Sequence, residues 1–149
     1  MLAKGLAALI TVLAISGPAS AEVKSVAPNG FEVASAAMIT AAPDRVYAAL
    51  GEIGRWWDSS HTFSRDAANL SLELRAGGCF CERLKDGGSV QHMQVVYAAP
   101  GAGLRGALGP LQMEGVDGTL SWTLKPGEGG TNVTFSYVVG GYIRTGMEQ

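Results

Sequence analysis

The stretch Gly77-Gly78-Cys79-Phe80-Cys81-Glu82-Arg83-Leu84-Lys85-Asp86-Gly87-Gly88-Ser89-Val90-Gln91-His92-Met93-Gln94-Val95-Val96 reads as two strands joined by a tight turn. Apolar and polar residues alternate on both sides of Asp86-Gly87-Gly88, the pattern of a β-hairpin with one buried face. The hairpin holds both cysteines of the chain, a glutamate and one of its two histidines. Its register decides what meets what. If Asp86-Gly87-Gly88 is a three-residue loop, with Gly88 in the left-handed position, Lys85 faces Ser89 and Glu82 lies opposite His92. If the loop is only Asp86-Gly87, the pairing slips by one residue and His92 faces Cys81. The first version makes an acid/base pair of Glu82 and His92. The second puts two thiols and an imidazole on one face, a soft-metal or thiolate–imidazolium arrangement.

Working outward, the same alternation recurs on both sides of the hairpin. Phe31, Val33, Ser35, Ala37 and Ile39 define strand one, after a mixed lead-in from Glu22 that ends in the turn Pro28-Asn29-Gly30. Leu70, Leu72 and Leu74 alternate next, and Leu104–Leu108 is a short strand between Gly101 and Gly109. Gly118–Leu124 follows, and Pro126-Gly127-Glu128-Gly129-Gly130 turns the chain into Val133–Val139. Between strand one and Leu70, Pro43-Asp44 opens a helix with Val46, Leu50, Ile53 and Trp57 on one face. Gly51 and Gly54 divide that helix into a short pair, and a polar loop carrying His61 and Asp66 follows Trp56-Trp57. The expected fold is α+β, a curved antiparallel sheet of about six to seven strands with a short helix pair after strand one. A C-terminal helix over the sheet is missing or truncated, because the chain ends at Gly146-Met147-Glu148-Gln149.

The first 21 residues read as a secretory signal: Lys4, an apolar run from Leu6 to Ile15, then Ala19-Ser20-Ala21 before a cleavage point at Glu22. The apolar run is too short to span a bilayer. The expected location is periplasmic or secreted, with residues 22–149 as a single domain and no membrane span after cleavage. The chain has 11 basic and 13 acidic residues, a net charge of −2, and the segment 1–21 removes one further positive charge. That balance offers nothing to nucleic acid or to an anionic membrane. Two cysteines in an exported chain invite a disulfide, but residues two apart on a strand lie about 6–7 Å apart. A disulfide brings its Cβ atoms to about 4 Å, so the sequence favours free, buried thiols unless the strand is bulged. No four-ligand metal spacing, phosphate loop, dinucleotide fingerprint or Ser-His-Asp order is present, and neither metal nor cofactor is expected.

The order of Pro43-Asp44-Arg45-Val46-Tyr47, Arg55-Trp56-Trp57, Gly77-Gly78-Cys79-Phe80 and Pro100…Leu104 resembles the START-like, or SRPBCC, superfamily. More narrowly it is similar to the polyketide cyclase/dehydrase and heat-shock-ATPase-activator-like branch. His61-Thr62-Phe63 and Ala76-Gly77-Gly78-Cys79-Phe80-Cys81-Glu82 look like runs from exported members. The resemblance implies a helix-grip fold with an apolar cavity between the sheet and a long C-terminal helix. It implies a binding protein for a small hydrophobic or aromatic ligand, with Trp57, His61, Phe80 and Trp122 at the ligand. The alternatives are a cyclase-, dehydratase- or hydrolase-type enzyme using Glu82 and His92, and a protein-interaction module. Oligomeric state is not legible in the sequence.

Overall fold

The structure is a computed structural model, and the description covers residues 21–108 and 115–142. One antiparallel sheet of eight strands dominates it, in the spatial order β1-β2-β8-β7-β6-β5-β4-β3. The strands are β1 (Ala21–Ala27), β2 (Gly30–Ile39), β3 (Leu70–Leu72), β4 (Cys79–Arg83), β5 (Ser89–Ala99), β6 (Gly103–Leu108), β7 (Val116–Gly127) and β8 (Gly130–Gly141). From β3 to β8 the chain meanders strand by strand. β8 then closes on β2 through an unbroken ten-residue register running from Gly30↔Gly140 to Ile39↔Thr131.

The sheet is one-sided. Leu120, Trp122 and Leu124 of β7 pair with Tyr137, Phe135 and Val133 of β8 on one face. The opposite face of the same strands carries Thr119, Ser121, Thr123, Thr134 and Ser136. The single α-helix, α1 (Pro43–Gly51), lies on the apolar face and packs against β3, β7 and β8. Proline opens it, Asp44 sits in its first turn, and Val46, Tyr47 and Leu50 are its buried residues. They join Ile53, Phe80, Met93, Val95, Leu104 and Trp122 in one core. Burying such a set is the main term holding α1 to the sheet, each large side chain contributing about 1.5–3 kcal/mol.

This architecture corrects the sequence expectation of a curved six- to seven-stranded, helix-grip sheet with a helix pair. There are eight strands and one α-helix among the described residues. The extra strand is β1, hidden in the sequence because it alternates poorly: Glu22, Lys24 and Ser25 interrupt its valines, and its pairing slips between Val23 and Ser25. An edge strand bonds on one side only and needs little apolar content. The expected second helix is a single 3₁₀ turn at Ile53–Arg55. Gly54 explains this, since a Cβ there would come within 2.8 Å of the Ala67 carbonyl oxygen. The chain turns at that close approach instead of continuing. The signal segment lies outside the described residues apart from Ala21, where β1 begins. The expectation that a C-terminal helix is missing or truncated concerns residues 143–149, also outside them.

Candidate functional site: a buried glutamate–histidine pair under a loop

Strand alternation aims Phe80 and Glu82 of β4 at the apolar face and Cys79, Cys81 and Arg83 at the other. Glu82 is therefore a carboxylate in the core, with 0% of its side chain exposed. Such a group is stable there only if its oxygens are fully partnered. Three donors serve them. The backbone N–H of Ser64 donates to Oε1, and that of Phe63 donates to Oε2 at 3.1 Å. His92 Nε2 meets Oε2 at 2.8 Å, with 11% of the imidazole side chain exposed.

The hairpin register that allows this contact is neither of the two expected from sequence. The loop is longer than both: Leu84 N–H donates to Gly88 O, and Asp86 and Gly87, not Gly88, take the left-handed conformation. Arg83 pairs with Ser89, Glu82 with Val90 and Cys81 with Gln91, whereas Phe80 pairs with Met93. One residue of β5, His92, is left over between them. This is a β-bulge. It turns His92 to the same side as Val90 and Met93 and brings its ring to Glu82 diagonally.

The two amides come from the polar loop that follows Trp56-Trp57. Asp58 caps a 3₁₀ turn at Ser59–His61 by accepting from Ser60 N–H at 2.8 Å, which holds the Asp58 carboxyl below its usual range. Thr62 Oγ1 donates to Ser59 O, Ser59 Oγ accepts from Ala67 N–H, and Asp66 caps a second turn at Ala67–Asn69. Arg65, at φ 60°, makes the reversal between them. These local bonds stiffen the loop and present Phe63 and Ser64 N–H to the sheet. Phe63 and Phe80 lie beside the His92 ring at 5.8 and 5.0 Å, and Trp57 meets Phe80 edge-on at 5.6 Å.

Burial pushes the Glu82 pKa up, but the hydrogen bonds from Ser64, His92 and Phe63 outweigh it and bring it from 4.5 down to about 2. At neutral pH Glu82 is a carboxylate, which only accepts. The 2.8 Å contact therefore requires the hydrogen on Nε2 of His92. In the neutral ring Nδ1 is then the acceptor, the position a proton would enter.

Of the residues singled out from sequence, the structure gathers Glu82, His92, Phe80 and Trp57 into this corner. His61 does not join them. It is exposed, and its carbonyl accepts from Trp57 Nε1 at 3.2 Å. Trp122 is buried three strands away on β7, about 14 Å across the sheet at the usual strand spacing, and stacks edge-on with Phe135. Sequence reasoning missed Ser64 and the backbone role of Phe63. A backbone donor leaves no trace in side-chain pattern, although Glu82 standing in phase with Phe80 and Leu84 signals a buried acid in need of donors. Cys79 and Cys81, expected to be free, form a disulfide, with their Cα atoms 5.3 Å apart. The pinched strand supplies the closeness that a regular one denies. No cluster of three or more metal-ligating side chains occurs among the described residues. No helix there is long and apolar enough to cross a membrane.

Compared with known proteins, the chain matches no family model and no curated sequence. Among solved structures it is similar to an uncharacterised protein from Rhizobium leguminosarum, at 19% identity and a TM-score of 0.56, covering 83% of this chain and 80% of that one. A protein from Mesorhizobium loti aligns at 15% identity and a TM-score of 0.54, over 76% of this chain and 79% of its own. A protein of unknown function from Staphylococcus aureus aligns at 15% identity and a TM-score of 0.54, over 80% and 75%. At these identities the likeness is one of fold.

Proposed function

We propose that the chain is an exported binding protein for a small hydrophobic or aromatic molecule, held against the apolar face of the sheet. One observation carries this reading. The β1–β2 end of that face, with Phe31 and Val33 half-buried next to Tyr137, lies beyond β8, the last strand that α1 packs on. Phe31 and Tyr137 stack edge-on at 5.7 Å, and Val23 and Val26 beyond them are 63% and 50% exposed. An apolar face left bare on an otherwise one-sided sheet is a surface for a ligand. Aromatic walls suit flat or extended apolar molecules. The run Leu6–Ile15 before Ala19-Ser20-Ala21 supports export, and the ordered motifs support kinship with the START-like superfamily.

The test is titration of the purified protein with 8-anilinonaphthalene-1-sulfonate, followed by displacement with a panel of aromatic and long-chain compounds. Saturable binding that weakens roughly tenfold or more in Tyr137→Asp supports the reading, that factor being about 1.4 kcal/mol. Absence of saturable binding, with no co-purified small molecule in native mass spectrometry, overturns it.

A second reading, an acid/base enzyme of cyclase, dehydratase or hydrolase type, is favoured by the division of labour between Glu82 and His92. Glu82 fixes Nε2–H, and Nδ1 would take the proton from a substrate. Long-range ¹⁵N correlation on the His92 ring tests it. A neutral ring protonated on Nδ1 would sink this reading.

A further inference from the structure

The polar face of the sheet, opposite α1, carries a groove that belongs neither to the Glu82–His92 corner nor to the β1–β2 face. It lies where β5, β6 and β7 run side by side, and its volume is about 230 Å³. Tyr97, Arg105, Ser121 and Thr123 line it, around Gly103.

A second irregularity of β5 builds this groove. Val95 pairs with Gly106 and Tyr97 with Arg105, so Val96 is left over. Regular alternation would send Tyr97 to the core together with Val95. The bulge turns it outward instead. Tyr97 is 53% exposed, whereas Val95 is wholly buried and Ala98 packs against the core. The turned ring stands beside Arg105, whose guanidinium carbon lies 6.0 Å from the ring centroid. At that distance the ring attracts the cation and holds it at the groove. Across the ladder Arg105 pairs with Ser121 and Gly103 with Thr123, which sets both hydroxyls on the same face. Gly103 keeps the floor low, since even a Cβ there would come within 2.6 Å of the Trp122 carbonyl oxygen.

The chemistry of the lining selects an anion. Arg105 is its one charged residue, and no acid lines it. The ion pairs among the described residues leave Arg105 out. The hydroxyl hydrogen bonds among them leave out Ser121 and Thr123. A guanidinium fork matches the two oxygens of a carboxylate. One cation balances one carboxylate, whereas a phosphate brings close to two negative charges at neutral pH. The exposed Tyr97 ring suits a flat apolar body. The groove is smaller than the roughly 300–1,000 Å³ of sites for drug-sized molecules, so its ligand is small.

From this geometry we propose that the Tyr97–Arg105 groove is a binding site for a small aromatic carboxylate. The carboxylate sits on Arg105 and the Ser121 and Thr123 hydroxyls, and the ring lies against Tyr97. The site is on the opposite face from the apolar surface next to Tyr137, and it stands or falls independently of ligand binding there.

The experiment titrates ¹⁵N-labelled full-length protein with sodium benzoate and follows the backbone amides by NMR. Expected are saturable shifts at Gly103, Arg105, Ser121 and Thr123 that weaken as salt is raised. Affinity should fall at least roughly tenfold in Arg105→Gln. Arg105→Lys, which keeps the charge without the fork, should fall between the two. Arg105 is exposed, so both variants should keep the spectrum of the fold. Benzamide, equally flat but uncharged, should leave the four amides in place. Tyr137→Asp should leave benzoate affinity unchanged, which separates this groove from the β1–β2 face. Shifts that never saturate, or that saturate around other residues, would overturn the proposal. So would benzoate affinity that survives Arg105→Gln, or inorganic phosphate binding more tightly than benzoate.

Discussion

The two ends of the sheet follow the same alternation and reach opposite outcomes. From β3 across to β8 the apolar face is covered by α1, the 3₁₀ turn at Ile53–Arg55 and the loop 58–66. There Ile53, Met93 and Val95 are wholly buried. Towards β1 and β2 the same kind of face carries Val23 and Val26, exposed, and Phe31 and Val33, half-buried, beyond the strands that α1 packs on. Strand pattern chooses which side chains share a face. Cover decides whether they become a core or a surface. The sealed end can therefore hold a carboxylate and its histidine partner out of water, whereas the β1–β2 end offers apolar area.

That contrast can be broken most severely at Glu82. Glu82→Ala leaves the Phe63 and Ser64 amides and His92 Nε2 without their acceptor, and urea unfolding should show a loss of about 3–5 kcal/mol. A loss under about 1 kcal/mol would mean that the loop is not anchored through the carboxylate.

Acid should act on the same point. The folded-state pKa of Glu82 is depressed, so its stabilisation is fully present above 4.5 and is lost as pH falls to about 2. The amount at stake is at most about 3–4 kcal/mol at 1.36 kcal/mol per unit. Glu82→Gln should flatten that part of the stability–pH curve while leaving the rest. An unchanged curve would show that other carboxylates carry the acid response.

Packing in the sealed end is tested by Gly106→Ala. Its Cβ would fall on the Met93 side chain, closer to Sδ than any real contact allows. Methionine can yield, so the expected cost is about 1–3 kcal/mol, read from the thermal midpoint. Substitutions at the bare end should be the mildest. Val26→Ser should change stability by no more than about 0.5 kcal/mol, because its side chain is already half in water. A larger loss would reveal that something covers this face in solution.

Much of the sheet was legible from residues alone. Seven of its strands announce themselves by alternation and by the turns at Pro28-Asn29, Pro100-Gly101 and Pro126–Gly129. Proline and aspartate mark where α1 begins. β1 escaped because an edge strand tolerates charges, and the second helix failed because Gly54 meets the Ala67 carbonyl, a contact 13 residues away in the chain. For the candidate site, sequence identified Glu82 and His92 as hairpin neighbours but offered two registers, both of which assume regular strands.

By itself, then, the sequence determined a sheet with one apolar face, a helix opened by Pro43-Asp44 and a glutamate and histidine on adjoining strands. These follow from local rules of period two, period 3.6 and turn chemistry, each acting over a few residues. Tertiary structure alone decided the pitch of β4, the bulge at His92, the amides delivered to Glu82 and which end of the face is sealed. Each of those depends on what lies across from a residue rather than beside it in the chain. One surplus residue in β5, set by how that strand pairs with β4, is enough to turn His92 from a ladder position to the partner of a buried acid.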